Sequence, residues 1–367
     1  MTQLRELSFI LEKMAPPAYQ ESYDNSGLIV GDPNTEVTGV LVSLDATEAV
    51  IDEAIAKGCN VVVAHHPIVF KGLKKLTGRT YVERTVIKAI KNDVALYAIH
   101  TNLDNVVGGV NFMIAEKLGL QNVRILAPKS GVLTKLVVFV PVDHSQTLLN
   151  ALHDAGAGQI GLYDRCSFRT EGTGTFRPLD GANPAIGAVG DDEAVAEHRV
   201  EVVFPSYLES AVVAAMKQAH PYEEVAYDLY ALNNQNQTVG SGAVGDLPAP
   251  MYGREWLHYL KHQMGLSVIR HTALLDRPVR RVAVCGGAGG FLLNDALRAG
   301  AEVFVTADYK YHEFFDADNR VTICDIGHYE SEVFTKDLIG QHLEKNFSTF
   351  AVILSETVTN PVNYFFQ

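Results

Sequence analysis

Nowhere in the chain do apolar residues run on for the roughly 18 positions that a membrane-spanning helix requires. The N-terminus, MTQLRELSFILEKMAP, scatters charges along an amphipathic helical pattern and lacks the apolar stretch of a secretion signal. The sequence therefore reads as cytoplasmic, with no membrane partner. Thiols are scarce too. Cys59, Cys166, Cys285 and Cys324 are far apart and form no CxxC pair, which argues against a disulfide framework and a thiolate zinc site. Any metal bound here must use nitrogen and oxygen. Positive charge is in deficit: 30 lysines and arginines face 43 aspartates and glutamates, for a formal net charge of −13. Such a balance disfavours a polyanion, so nucleic acid is not the expected partner. A complete GxGxxG fingerprint is also missing, the nearest approach being CGGAGG at residues 285–290.

What is present is a strong α/β rhythm. The chain has 367 residues, 47% of them hydrophobic, enough for two or three ordinary cores. Residues 38–118 alternate strand, helix, strand, helix, strand and helix, and residues 279–354 repeat that order, ending on a strand in TFAVILSE. EAIAKGCNVVVAHHP, from Glu53, can be laid on DALRAGAEVFVTADY, from Asp295, with helix, glycine and buried strand in register. Helix–Gly–strand is common in α/β proteins, so either chance or an internal repeat produces this match. A repeat would make two halves whose strand ends share a cleft. The middle differs. From about Lys135 to Leu232 the order is βαββαβ, as in a ferredoxin-like domain. The expected fold is thus two similar α/β halves, residues 1–130 and 236–367, forming one larger domain, with an α+β domain inserted at 131–235.

The run NVVVAHHPIVF, residues 60–70, carries two adjacent histidines where a β-branched strand is stopped by Pro67. Open α/β sheets bind ligands at the carboxyl ends of such strands, which makes His65 and His66 candidate metal ligands. A packed histidine beside an exposed one is the plainer alternative. The next strand ends in IHTNLDN and delivers His100 and Asp104 to the same edge. In the second half, DIGHYESE places His328 and Glu332 four residues apart on one helix face, with Glu330 turned elsewhere. His65, His66, Asp104, His328 and Glu332 are more ligands than one catalytic ion needs. They suit two divalent ions, whether zinc, iron, manganese, cobalt or nickel.

YDNSGLIVGD, AHHP, HTNLD, CGGAGG, TADYKYHE and GHYESE, in this order, resemble the NGG-one-interacting-factor-three-like family, also called dinuclear-metal-centre hexameric proteins. The resemblance spans both outer segments, and the middle is similar to the PII-like or CutA-like insert of longer bacterial members. It implies a two-metal site on the same five residues and a homo-hexameric ring. It also implies kinship with the proteins labelled type 2 GTP cyclohydrolase homologues. The expected function is metal-dependent hydrolysis of a small phosphorylated or nucleotide-like substrate, with His100 or His312 moving protons. Asp24, Asn25 and Lys310 are candidate substrate contacts, although turn and solvated-loop roles fit them as well. CGGAGG reads as a dinucleotide loop or as a turn that lets backbone approach an anion or the metal rim. A different class is a metal-binding regulator or scaffold whose insert senses a small molecule.

Overall fold

The structure, a computed structural model, describes residues 2–365. The chain divides into two compact units, one running up to Ala127 and resuming at Val239, the other formed by Pro128–Thr238. No helix among the described residues is long and apolar enough to cross a membrane.

The larger unit contains two sheets. In the first, the strands lie in the order Gly27–Val30, Ala95–Ala98, Val61–His66, Gly39–Asp45 and Ala351–Leu354, all parallel except the first. The strand Val61–His66 is central and buried on both faces. Val61 and Val63 enter one apolar cluster while Val62 and Ala64 enter another, the period of two expected of a pleated strand. Each of the three valines contributes about 1.5–3 kcal/mol by leaving water. In the second sheet, Val279–Ala288, Val303–Ala307 and Thr322–Asp325 form a parallel trio, flanked by antiparallel Arg270–His271 on one side and Gln235–Met251 on the other. Val40, Val42, Val61 and Val63 of the first sheet belong to the same buried cluster as Val282, Val284, Val303 and Val305 of the second. One core serves both sheets.

Edge strands are exchanged between the halves, which the sequence reading did not foresee. TFAVILSE was assigned to the second half, but Ala351–Leu354 pairs in parallel with Gly39–Asp45 in the first sheet, Ala351 opposite Gly39. Conversely, Gln121–Ser130 leaves the first half to form the outer edge of the second sheet beside Gln235–Met251. Neither Gln121–Ser130 nor Gln235–Met251 was read as a strand, because Pro128 and a scatter of glycines mask their alternation. Gly245 shows what those glycines permit: a Cβ there would meet Leu120 Cβ at 2.9 Å and the Gln121 carbonyl at 3.0 Å.

The smaller unit is a four-stranded sheet in the order Phe168–Phe176, Glu193–Pro205, Leu133–Pro141, Tyr227–Leu232, every neighbouring pair antiparallel. Helices Ser145–Asp154 and Glu209–Ala219 follow its first and third strands in the chain, the split βαβ arrangement of a ferredoxin-like domain. Its core is its own: Leu136, Val138 and Val140 alternate on one strand, Val200, Val202 and Phe204 on the next, and Leu148, Leu152, Val212 and Met216 pack from the helices.

Ala127 and Val239 lie on neighbouring strands of the same sheet, so a short turn can join them. Replacing Pro128–Thr238 with such a turn should leave a soluble protein with one cooperative thermal transition. Aggregation, or loss of a cooperative melt by circular dichroism, would show that the larger unit needs the smaller one to fold.

Candidate metal centre

Four imidazoles converge at the carboxyl ends of the parallel strands of the two sheets, and each has its Nδ1 committed to an oxygen acceptor. His65 Nδ1 donates to the Ile99 carbonyl at 2.8 Å, His66 Nδ1 to Asp45 at 2.7 Å, His100 Nδ1 to Asp24 at 2.8 Å and His328 Nδ1 to Asp308 at 2.7 Å. With Nδ1 bearing the proton, each Nε2 offers a lone pair, and this is how metal-ligating histidines are commonly prepared. The ligand atoms form three groups: His65, His66 and His100; His66, His328 and Glu332; His65, Asp104 and Glu332. Within each group they lie no more than 4.8 Å apart. His66 Nε2 and His328 Nε2 are 3.4 Å from one another, and each is 3.0 Å from Glu332 Oε2.

The innermost contact identifies what is needed between these groups. His65 is fully buried. Its Nε2 and Asp104 Oδ1 face each other at 3.6 Å, both enclosed and neither hydrogen-bonded. Two buried acceptors left in this way cost about 1–3 kcal/mol each. A cation accepting both lone pairs removes that cost. The imidazole and carboxylate donor set suits a borderline divalent ion.

Local backbone explains the close approach. Asp45 and His66 are register partners on adjacent parallel strands, so their side chains meet at the sheet edge. The CGGAGG segment lies against the helix His328–Glu332. A Cβ on Gly286 would meet Glu332 Cγ at 3.2 Å, and one on Gly287, whose φ is +60°, would meet Glu332 Oε1 at 2.5 Å. Asn111 also ties the halves together, donating to the Asp104 carbonyl while its Oδ1 accepts from Gly286 N at 2.9 Å.

The family profile of Duf34/NIF3 (NGG1p interacting factor 3) matches residues 2–361. The chain belongs to this family. A Bacillus subtilis (strain 168) relative named GTP cyclohydrolase 1 type 2 homolog is 41% identical over 361 residues, 97% of this chain and 96% of its own length. The crystal structure of a Bacillus cereus protein related to NIF3 is 40% identical, with a TM-score of 0.86 over 99% of each chain. A Staphylococcus aureus protein of known structure is 31% identical, with a TM-score of 0.79 over 99% of each chain.

In this Duf34/NIF3 chain the remaining candidates from the sequence fall in different places. His100 turns its Nε2 into the cluster. Asp24 stands behind it with a fully buried side chain, saturated by His100, Thr101, Asn25 and Ser26. It orients His100 and has no free oxygen directed at a substrate. Asn25 ties the same loop to the Val69 carbonyl at 2.6 Å. Lys310 and His312 are exposed and do not line the cavity around the cluster. Lys310 is paired with Glu313 at 3.4 Å, and the His312 ring stacks near Phe315. Glu330, although at the rim, accepts from Asn360 at 3.0 Å and is absent from all three ligand groups.

Asp45 and Asp308, the carboxylates that orient His66 and His328, were not among the sequence candidates. A signal for Asp308 was available, since the match of the two halves sets it opposite His66. Asp45 had none beyond its place at a strand end.

Charge coupling at the cluster is strong. Burial alone would lower the pKa of His66, but its hydrogen bonds to Asp45 and Glu332 overcome this and push it up to about 10. Against the same penalty, Glu332 and Asp308 push His328 up to about 9. His65 is pushed down to about 3 by burial. Burial and the Glu332 charge drive the Asp104 carboxyl well above its ordinary value. Burial works the same way on Glu332, yet the hydrogen bonds from His328 and His66 hold it far below the usual carboxylate range. Without a metal, protons on His66 and His328 balance the buried carboxylate.

Two expectations follow from this geometry. Glu332→Gln keeps the volume but removes the shared anion, so metal content should fall by elemental analysis, while the metal-free protein stays folded by circular dichroism but melts at a lower temperature because His66 and His328 lose their counter-charge. Glu330→Gln should bind metal as the wild type does. Equal metal in both variants would remove Glu332 from the site.

A metal must also displace the protons on His66 and His328, because only the lone pair ligates. Both groups have raised pKa values, so affinity should climb with pH up to about 10 and collapse in acid. About two protons should leave per filled centre at pH 7, measurable by calorimetry in buffers of different ionisation enthalpy. Uptake without proton release would contradict this charge assignment.

Proposed function

We propose that the protein is a hydrolase using two divalent ions held by His65, His66, Asp104, His328 and Glu332. The carrying observation is the set of Nδ1-anchored imidazoles whose Nε2 atoms converge around one buried carboxylate. Zinc, iron, manganese, cobalt and nickel all suit these donors. Bound ions would supply Lewis acidity and activate water. The chain supplies the rest. His100, oriented by Asp24, faces the same space and is placed to accept or return a proton.

The cluster opens on a cavity of roughly 1080 Å³ whose wall includes Tyr23, Phe70, Tyr81, Phe291 and Tyr329, a size and lining suited to a small ring-bearing molecule. Arg270 is the only lysine or arginine along the described lining, and it is already engaged with Asp325 at 3.1 Å. A phosphoryl group would therefore be taken chiefly by the metal positions, which favours a small, singly phosphorylated or nucleotide-like substrate. The relatives' name, GTP cyclohydrolase 1 type 2 homolog, fits a heterocyclic ring but leaves a triphosphate with little to hold it. A homo-hexamer, as the family resemblance implies, is part of this proposal, as is a PII-like or CutA-like character for the smaller unit.

A second reading, a metal-holding regulator whose insert takes a small molecule, is favoured by one feature. In the smaller unit Glu197 is buried, burial and this nearby carboxylate raise the pKa of the Tyr222 phenol, and the Tyr222 ring packs 5.1 Å from that of His220. The discriminating measurement is turnover by the metal-loaded protein across phosphoester, nucleotide and cyclic-amidine substrates. His100→Ala should keep its metal and lose roughly 100-fold or more in rate. Absence of turnover across the panel, with metabolite binding to the smaller unit, would replace the hydrolase reading with the regulator.

A further inference from the structure

The segment after the final strand is fastened to the rest of the larger unit at two points. Glu53, on the helix Glu48–Ala56, accepts from Ser355 Oγ at 2.6 Å, Glu356 N at 2.8 Å, Thr357 N at 3.2 Å and Thr357 Oγ1 at 2.6 Å. Two residues on, the Thr359 hydroxyl donates to Asp45 Oδ2, while Oδ1 of the same carboxylate accepts from His66 Nδ1. Asn360 then donates to Glu330, and Thr359, Asn360, Val362 and Tyr364 form one wall of the cavity.

The candidate ligands consequently rest on different supports. His65 is fully buried, and its orienting acceptor is the backbone carbonyl of Ile99. His66 and His328 depend instead on side-chain carboxylates. One is Asp45, held from behind by Thr359. The other is Asp308, 51% exposed and at a left-handed φ of +58°. His328 itself is 40% exposed.

We propose that Ser355–Tyr364 is a strap that completes the His66–His328 ligand group by fixing Asp45, so that the two metal positions are unequal and the strap-supported one is the weaker and more exchangeable. This rests on the dinuclear reading above. Thr359 and Asp45 are positioning residues. With Thr359 donating to one oxygen, the other stays aimed at His66 Nδ1, and the imidazole keeps its Nε2 lone pair forward. Without that hydroxyl the half-exposed carboxylate is free to turn toward water. Loss of such an orienting partner generally costs 10- to 100-fold in metal affinity.

The test uses full-length protein loaded with zinc and titrated with a chelator, released zinc being counted with an indicator dye. Wild type should release its zinc in two steps. Thr359→Val should move only the first step, to about tenfold lower chelator, and Thr359→Ser should restore it. Asp45→Asn should shift the same step at least as far. The melting temperatures of metal-free wild type, Thr359→Val and Thr359→Ser should agree, which separates positioning from a folding defect. The strap is overturned if wild type releases two equivalents indistinguishably, if both variants leave the two steps in place, or if they shift both steps equally. A protein that takes up no zinc removes the dinuclear reading and the strap with it.

Discussion

Glu332 is the carboxylate on which the site depends. It is buried, and a buried anion persists only where compensating charge is within reach. Here one oxygen meets His66 from the first sheet and His328 from its own helix, each at 3.0 Å. Protons or divalent ions can supply the compensation, and the geometry accommodates both. Much of the surrounding architecture serves to bring this carboxylate to those imidazoles: the glycines at 286 and 287 give it room, and the Asn111 clip holds the opposing loop in place.

The exchange of edge strands gives the two halves a reason to stay together. Ala351–Leu354 completes the first sheet and Gln121–Ser130 the second, so neither sheet is complete in its own half of the sequence. A ligand set divided between halves needs such a tether, because a displacement of 1 Å would break contacts of about 3 Å. The shared apolar cluster adds the non-directional part of that association.

The halves are not equivalent at the centre. Where the first contributes His66, the second has Asp308 at the matching place, and that aspartate orients His328. The result is a deep side built on the core and backbone, around His65 and Asp104, and a shallow side built on side chains, around His66 and His328. The cavity opens on the shallow side, where the C-terminal segment forms a wall.

Much of this was legible in residue order. The VVVAHHP run marks a buried strand with candidate ligands at its end because β-branched residues, a proline stop and adjacent imidazoles are local signals. His328 and Glu332 are legible because helix geometry places i and i+4 on one face. The βαββαβ rhythm of the middle segment follows from periodicity alone. Which sheet each edge strand joins was not legible, since Ala351–Leu354 and Gln121–Ser130 are short or interrupted and their partners are more than a hundred residues away. Nor was the grouping of Asp45, Asp308 and Thr359 with the histidines, or the removal of His312 and Lys310 from them. Sequence determines what a residue can bond to and which way its own element turns it; only the packing of two sheets decides which distant acceptor stands behind each imidazole.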